Sequence, residues 1–464
     1  MVNAFLRHGP ATGREPPPDI WGEALAEFLL GLLEGVEVDL YYGRDDDPTD
    51  AGTGAEHGWS ARRDGPDEWS SVLGLRLTKA AELLYQPAPH GSLPSEFVDL
   101  PDAAVRALDR ITSSVQPGQR LYSAMKRALH DVVVAEILAE QVTEMSGVDV
   151  PIDDVAHVMS DVLTYLDRLA LSRVEGRALT HGVIVAAGDL SSLGPGSGLR
   201  YPGPLEELKR TPLLFDGVRS VLMIDSRGEI LREVTRGTIS EVRPDLTRQR
   251  PFEEFLGDAG ALVAAAARAF DGIGLFLRAD QTIWVFKHGS PFMIRRGGRW
   301  KAIPLASLTN GIAELAGSPD VGALLARAAV AASLEGHGAI IAVVDDASDI
   351  EHLIEARDRF DLAYSDTPSG DDAPERHVHR LIRASVSNPG ALTRLAGIDG
   401  ATVLDTSGNL LAYGAIVESP GSAGEGARSA AARGLSQFAR IVLKVSEDGP
   451  ITVFLDGHEA GAVL

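Results

Sequence analysis

Apolar positions recur at helical spacing in WGEALAEFLLGLLEG (21–35), which predicts a helix. The run that follows, residues 42–69, is polar and rich in Gly, Pro and acids, and reads as a loop or flexible excursion. Three more helical patterns come around 70–86, 119–146 and 151–173, the last with Pro151 and acids in its first turn as start signals. Residues 21–175 therefore read as α-rich. The pattern changes at HGVIVAAG (181–188), a short apolar strand. Beyond it come a hairpin at 219–234 with Asp225 to Gly228 at its turn, a helical stretch at 251–270 and a β meander at 274–303. Residues 176–305 read as mixed α/β.

A third region, 307–464, opens with two helical patterns separated by Ser318-Pro319-Asp320, a cap signal with Pro at the first helical position. GAIIAVVDD (338–346) is continuously apolar until its end, as in a strand buried on both faces. SDIEHLIEARDRF (348–360) and RHVHRLIRASVS (376–387) have helical spacing. GATVLDTSGNLLAYGAIV (400–417) predicts a hairpin, 427–438 a helix, and 440–457 two strands joined at Ser446 to Gly449. Strand and helix alternating around a buried apolar strand predict an α/β layer architecture.

A length of 464 residues exceeds what one core fills and predicts two or three domains. Residues 1–20 are Pro-rich and predict a disordered tail. With no cysteine, disulfides, thiolate metal sites and cysteine nucleophiles are excluded. The first residues lack a signal-type apolar core and no apolar run reaches bilayer length, so the expectation is a soluble, cytoplasmic chain without a membrane partner. A formal net charge of −23 opposes nucleic acid and anionic lipid, so any nucleotide ligand needs a local positive patch.

P-loop, dinucleotide-fingerprint, zincin and nucleophile-elbow motifs are all lacking. GPGSGLRYPGP (194–204) is either a flexible loop or a phosphate cradle, and His377 and His379 are spaced badly for one metal on a helix. Trp284, Phe286 and Phe292 are either pocket lining or the core of the meander. The richer constellation is in the third region. Asp399 precedes Gly400 and Ala401 at a strand entrance, with nothing bulky beside it. Gly426 opens a helix whose first N–H groups face outward to an anion, and Arg428 adds a fork of donors suited to phosphate. Glu447 and Asp448 lie in the last turn, where a carboxylate beside a polyphosphate could hold Mg²⁺.

The order of these pieces resembles the diadenylate cyclase domain, the catalytic module of bacterial enzymes that make cyclic di-AMP, over residues 307–457. Asp399-Gly400-Ala401 matches that family's Asp-Gly-Ala motif, and Gly426 to Ser436 aligns with its Gly-Thr-Arg-His-Arg-Ala-Ala-x-Gly-x-Ser stretch. Ser446-Glu447-Asp448 resembles its Ser-Glu-Glu turn. The resemblance implies a mixed β-sheet flanked by helices and a homo-oligomer in which two ATP-loaded domains meet. Each ATP 3′-hydroxyl then attacks the α-phosphate of the other, and pyrophosphate leaves twice. It implies Asp399 and Arg428 as catalytic residues, and Gly400, Ala401, Gly426, Ala427, Arg428, Ser429 and Ser436 as nucleotide-binding residues. Asp399 and Glu447 would hold Mg²⁺ or Mn²⁺. The layout ahead of it resembles predicted sensor regions of the DACNV kind.

The family's Thr-Arg-His-Arg becomes Ala427-Arg428-Ser429-Ala430 here, and one arginine survives. Loss of one such donor costs on the order of a hundredfold in rate. Arg433, five residues after Arg428, points partly away. Three readings stay open: a cyclic-dinucleotide synthase, a degenerate domain that binds nucleotide as a sensor or regulatory module, and a purely structural domain.

Overall fold

The computed structural model describes residues 20–44, 59–64, 69–85, 93–113, 123–146, 150–188, 196–207, 213–244, 252–359, 389–418 and 426–464. The expected tail at 1–20 (apart from Ile20), the pattern at 376–387, and His377 with His379, lie outside them. The fold is mixed α/β, and the chain divides into two compact units. The first comprises 1–78, 88–253 and 257–303; the second comprises 79–87, 254–256 and 304–464. Residues of both front regions expected from the sequence fall in the first unit.

The first unit contains an antiparallel three-stranded sheet of β1 (Val36–Arg44), β2 (Trp59–Asp64) and β3 (Trp69–Leu77), with β3 central. Two expectations are corrected here: part of 42–69 is strand, not loop, and 70–77 is strand, not helix. The reason is a period of two. Leu73, Leu75 and Leu77 alternate, are buried, and pair opposite Leu40, Val38 and Val36. The long helices Ser123–Ser146 and Ile152–Leu171 follow as their spacing predicts, and a further helix, Leu100–Ser113, precedes them.

A two-residue ribbon, β4 (Arg173–Val174) with β5 (Arg177–Ala178), leads into a seven-stranded sheet. Its strands are β6 (His181–Ala186), β7 (Val221–Ile224), β8 (Ile230–Val234), β9 (Gly272–Leu277), β10 (Ile283–Lys287), β11 (Ser290–Arg296) and β12 (Arg299–Ala302). The order is β12-β11-β10-β9-β6-β7-β8. Trp284, Phe286 and Phe292 are buried in this meander, where Phe292 stacks on Phe97 at 4.8 Å, so they form core. Residues 196–200 of the glycine-rich loop are tied to the β7–β8 hairpin, with Gly198 N–H donating to Glu229 at 2.9 Å and Ser197 N–H to the Ile230 carbonyl at 3.0 Å.

The second unit is built on a six-stranded mixed sheet: β13 (Ala339–Val344), β14 (Ala401–Asp405), β15 (Leu410–Ala415), β16 (Ile441–Val445), β17 (Ile451–Leu455) and β18 (His458–Ala462). The order is β15-β14-β13-β16-β17-β18, with β13 parallel to β14 and antiparallel to β16. All six residues of β13 are buried, as a continuous apolar strand requires. The helices Leu305–Ala316 and Pro319–Glu335 pack so closely that a Cβ on Gly322 would lie 2.2 Å from the Cα of Ala313. On the sheet face bearing Ile340, Ala342, Val403, Val442 and Phe454, the helix Ala427–Leu435 adds Ala432 and Leu435 to the core.

The helix expected at 348–360 is replaced by short 3₁₀ turns at Ala347–Ile350 and Ala356–Asp358. Asp346 caps the first turn, and Ile354 then pairs with Val417 beside β15, so sheet pairing overrides the helical spacing of Ile350, Leu353 and Ile354. β18 was not anticipated from its polar sequence. It returns through Asp456-Gly457, both at positive φ, a two-residue hairpin turn.

Candidate functional site

Register places three chain segments at one end of the six-stranded sheet, the edge formed by its strand termini. Parallel pairing sets Ile340 beside Ala401, so β13 and β14 start together and Asp399 lies just outside that edge. Antiparallel pairing sets Val445 opposite Ala339, so β16 ends there and hands on to the turn that carries Glu447. That turn is fixed by Gly449 N–H to the Ser446 carbonyl at 2.9 Å, and the buried Ser333 hydroxyl donates to the Gly449 carbonyl. Gly400 stands at φ 113°, and a Cβ on it would reach the Gly414 carbonyl carbon at 2.4 Å, so only glycine turns the chain from Asp399 into β14.

The helix Ala427–Leu435 begins at the same edge with Gly426 as its N-cap, and no side chain among the described residues caps it. A Cβ on Gly426 would meet no atom of the described residues within 4 Å. The Ser429 and Ala430 N–H groups both turn back to the Gly426 carbonyl at 3.0 Å, which leaves the Ala427 and Arg428 N–H groups at the mouth of the helix. Arg428 lies across Gly338 at the foot of β13, where a Cβ would come within 2.4 Å of its Nη1.

The guanidinium joins the edge together. Its Nη1 donates to Glu447 Oε1 at 2.8 Å, and its Nη2 lies 3.8 Å from Asp399 Oδ1. The Asp399 side chain is 98% exposed, that of Glu447 68% and that of Arg428 42%, so these pairs are open to solvent and exchangeable. Two carboxylates thus flank one fixed cation at the N-terminus of a helix. Among the described residues no group of three or more His, Asp or Glu forms a metal cage. The fit to Mg²⁺ or Mn²⁺ is that of a site sharing its cation with ligand phosphates and water, for which one or two carboxylates suffice.

Asp399, Arg428 and Glu447 are therefore brought together, with Gly400, Gly426, Ala427 and Ser429 around them. Ala401 is buried in β14, one residue inside the edge. Ser436 is not brought to the group. It is wholly buried at the far end of the helix, where its hydroxyl bonds the Arg433 carbonyl at 3.0 Å and receives Gly457 N–H at 3.1 Å. Arg433 also turns away, toward the Gly457 carbonyl and the Phe454 ring.

Two residues at this edge were not singled out from the sequence. Gly338 is the bed on which Arg428 lies. Lys444 points to the helix face of β16 and donates to the Ser429 hydroxyl at 3.0 Å. Its signal is the one charged residue inside the apolar strand IVLKV. No helix among the described residues is long and apolar enough to cross a membrane. Comparison of the chain with known protein families, with curated proteins and with solved structures gave no match.

Proposed function

We propose that residues 307–464 bind the triphosphate of ATP and condense two ATP molecules into cyclic di-AMP or a related cyclic dinucleotide. The observation that carries this reading is the meeting of Arg428 with Asp399 and Glu447 at the uncapped start of a helix. In the order Asp-Gly-Ala, helix-start arginine, Ser-Glu-Asp turn, these are the groups that the diadenylate cyclase resemblance singles out. Arg428 and the Ala427 and Arg428 N–H groups hold the phosphate oxygens. Asp399 and Glu447 hold the divalent cation, which neutralises charge on the phosphates when bound.

In the reaction, a 3′-oxygen forms a bond to the α-phosphorus of the second nucleotide while the bond to pyrophosphate breaks. Asp399, exposed and beside the metal site, orients the hydroxyl and takes up its proton. Two such transfers close the ring, so the partner is a second copy of this chain with its own ATP. Positioning and charge neutralisation supply the acceleration. The first unit is read as a sensor region acting on this domain.

A second reading is a domain that binds nucleotide without turnover. What favours it is the helix start itself, where Ala427 and Ala430 offer no side-chain donor and Ser429 is engaged by Lys444. Incubation of the full chain with ATP and Mn²⁺, followed by mass spectrometry, separates the two. Cyclic or linear dinucleotide supports the synthase. Thermal stabilisation by ATP without product supports the binding module, and neither result removes both.

A further inference from the structure

Lys444 sits one rung inside the sheet edge that carries the site: it pairs with Ile340, while its neighbour Val445 pairs with Ala339 at the foot of β13. Ile340 is also level with Ala401, two residues after Asp399. The side chain rises on the face covered by the helix Ala427–Leu435 and ends on the hydroxyl of Ser429, the residue after Arg428. Its Nζ is also 5.9 Å from the Phe454 ring centroid, and the Arg433 guanidinium lies as far from the same ring.

Arg428 is paired with Glu447 and Asp399, and Arg440 with Asp345. Lys444 is half-buried and pairs with no carboxylate among the described residues. Its neighbours are a neutral hydroxyl, an aromatic ring and a helix whose N-terminus carries partial positive charge. A phosphate oxygen at the helix mouth would give this partly buried ammonium the anion that no described residue supplies. An ammonium has three donors and Ser429 uses one, so two are left for a ligand. In a chain of net charge −23 with only six lysines, this position is not one of general surface charge.

We propose that Lys444, steered by the Ser429 hydroxyl, is the second cation of the triphosphate site and takes a phosphate oxygen beside those held by Arg428. The inference rests on the reading that the 426–430 segment holds a triphosphate. It gives Ser429 a purpose: the serine aims a lysine from the neighbouring strand toward the helix mouth. It also restores one of the cationic donors that the altered helix start no longer carries.

The test titrates the full chain with inorganic tripolyphosphate and with ATP, each with Mg²⁺, by calorimetry. The variants are Lys444→Met, Lys444→Arg, Ser429→Ala and Arg428→Ala. A lost charge-assisted hydrogen bond corresponds to about tenfold to a hundredfold in affinity. Lys444→Met is expected to weaken both ligands by that factor without lowering the thermal midpoint. Lys444→Arg is expected to recover most of the affinity, and Ser429→Ala to give a smaller loss. Should the Met variant fail to fold, Lys444→Gln takes its place in the same comparison. Wild-type affinity in Lys444→Met together with loss in Arg428→Ala overturns the role of Lys444 and leaves the triphosphate reading standing. Wild-type affinity in both overturns the reading itself.

Discussion

The Arg428 guanidinium bonds Glu447 at 2.8 Å and approaches Asp399 to 3.8 Å, so one cation is shared by two carboxylates. A nucleotide cannot take the arginine without leaving those carboxylates facing its own negative charge. A divalent cation resolves the conflict, because it takes the carboxylates while the phosphates take the arginine. Binding of metal and nucleotide is therefore expected to be mutually dependent.

The paired substitution Asp399→Asn with Glu447→Gln tests this exchange. It removes both the carboxylates proposed to hold the metal and the repulsion. ATP affinity measured in EDTA is expected to rise several-fold over that of the unaltered chain, at about 0.5 kcal/mol for each exposed pair. The enhancement of affinity by Mg²⁺ is expected to disappear. An Mg²⁺ effect of unaltered size in the double variant contradicts the assignment of the metal to Asp399 and Glu447.

Gly338→Ala separates binding from folding. The added methyl meets the far end of the Arg428 side chain at 2.4 Å, and a flexible guanidinium can swing aside at little cost. ATP affinity is expected to fall about tenfold as the arginine leaves its position, with a thermal midpoint within about a degree of the parent. Gly400→Ala is its counterpart. There the methyl meets backbone at 2.4 Å and the residue stands at φ 113°, so stability is expected to fall by about 2 kcal/mol or more, read from urea unfolding.

The first unit carries a pH dependence. His130 stacks on Phe28 at 4.4 Å, and burial, reinforced by Lys126 and opposed by Glu27, pushes its pKa below the ordinary 6.5. Burial lowers His288 likewise, against the pull of Asp271. The unfolded chain then binds protons that the folded chain refuses. Stability from these residues is complete above pH 6.5 and is lost as pH falls from there through the lower folded values. His130→Phe is expected to flatten the fall in urea midpoint between about pH 7 and pH 5.5. An unchanged slope contradicts the assignment to His130.

Much of the second unit was legible because its signals are local. Ala339–Val344 is apolar at every position, and the hairpin from Ala401 to Ala415 turns at Asp405 and Gly408. The elements that were not legible depend on partners distant in sequence. Ile350, Leu353 and Ile354 have helical spacing, yet pairing of Ile354 with Val417 decides their conformation. The Leu73 to Leu77 alternation is short, and it becomes meaningful only opposite Val36 to Leu40.

The same holds for the site. Asp399, Arg428 and Glu447 could be picked from the chain because each sits beside a glycine-bearing turn or a helix start. Lys444 shows in the sequence only as a lone charge in an apolar strand, because its relation to Ser429 exists only once β16 and the helix Ala427–Leu435 are packed. Ser436 failed in the opposite sense. Its place in an aligned motif drew attention, and its burial under Gly457 makes it a structural hydroxyl.

Arg428 and Asp399 are proposed to hold one metal–triphosphate complex, the arginine through its phosphates and the aspartate through its metal. Calorimetric titration of the full chain with ATP and Mn²⁺ addresses it directly, repeated for Arg428→Ala. Saturable binding that falls at least about tenfold on loss of the guanidinium is the expected result. No heat of binding in the parent chain, or an isotherm indifferent to Arg428→Ala, contradicts the account.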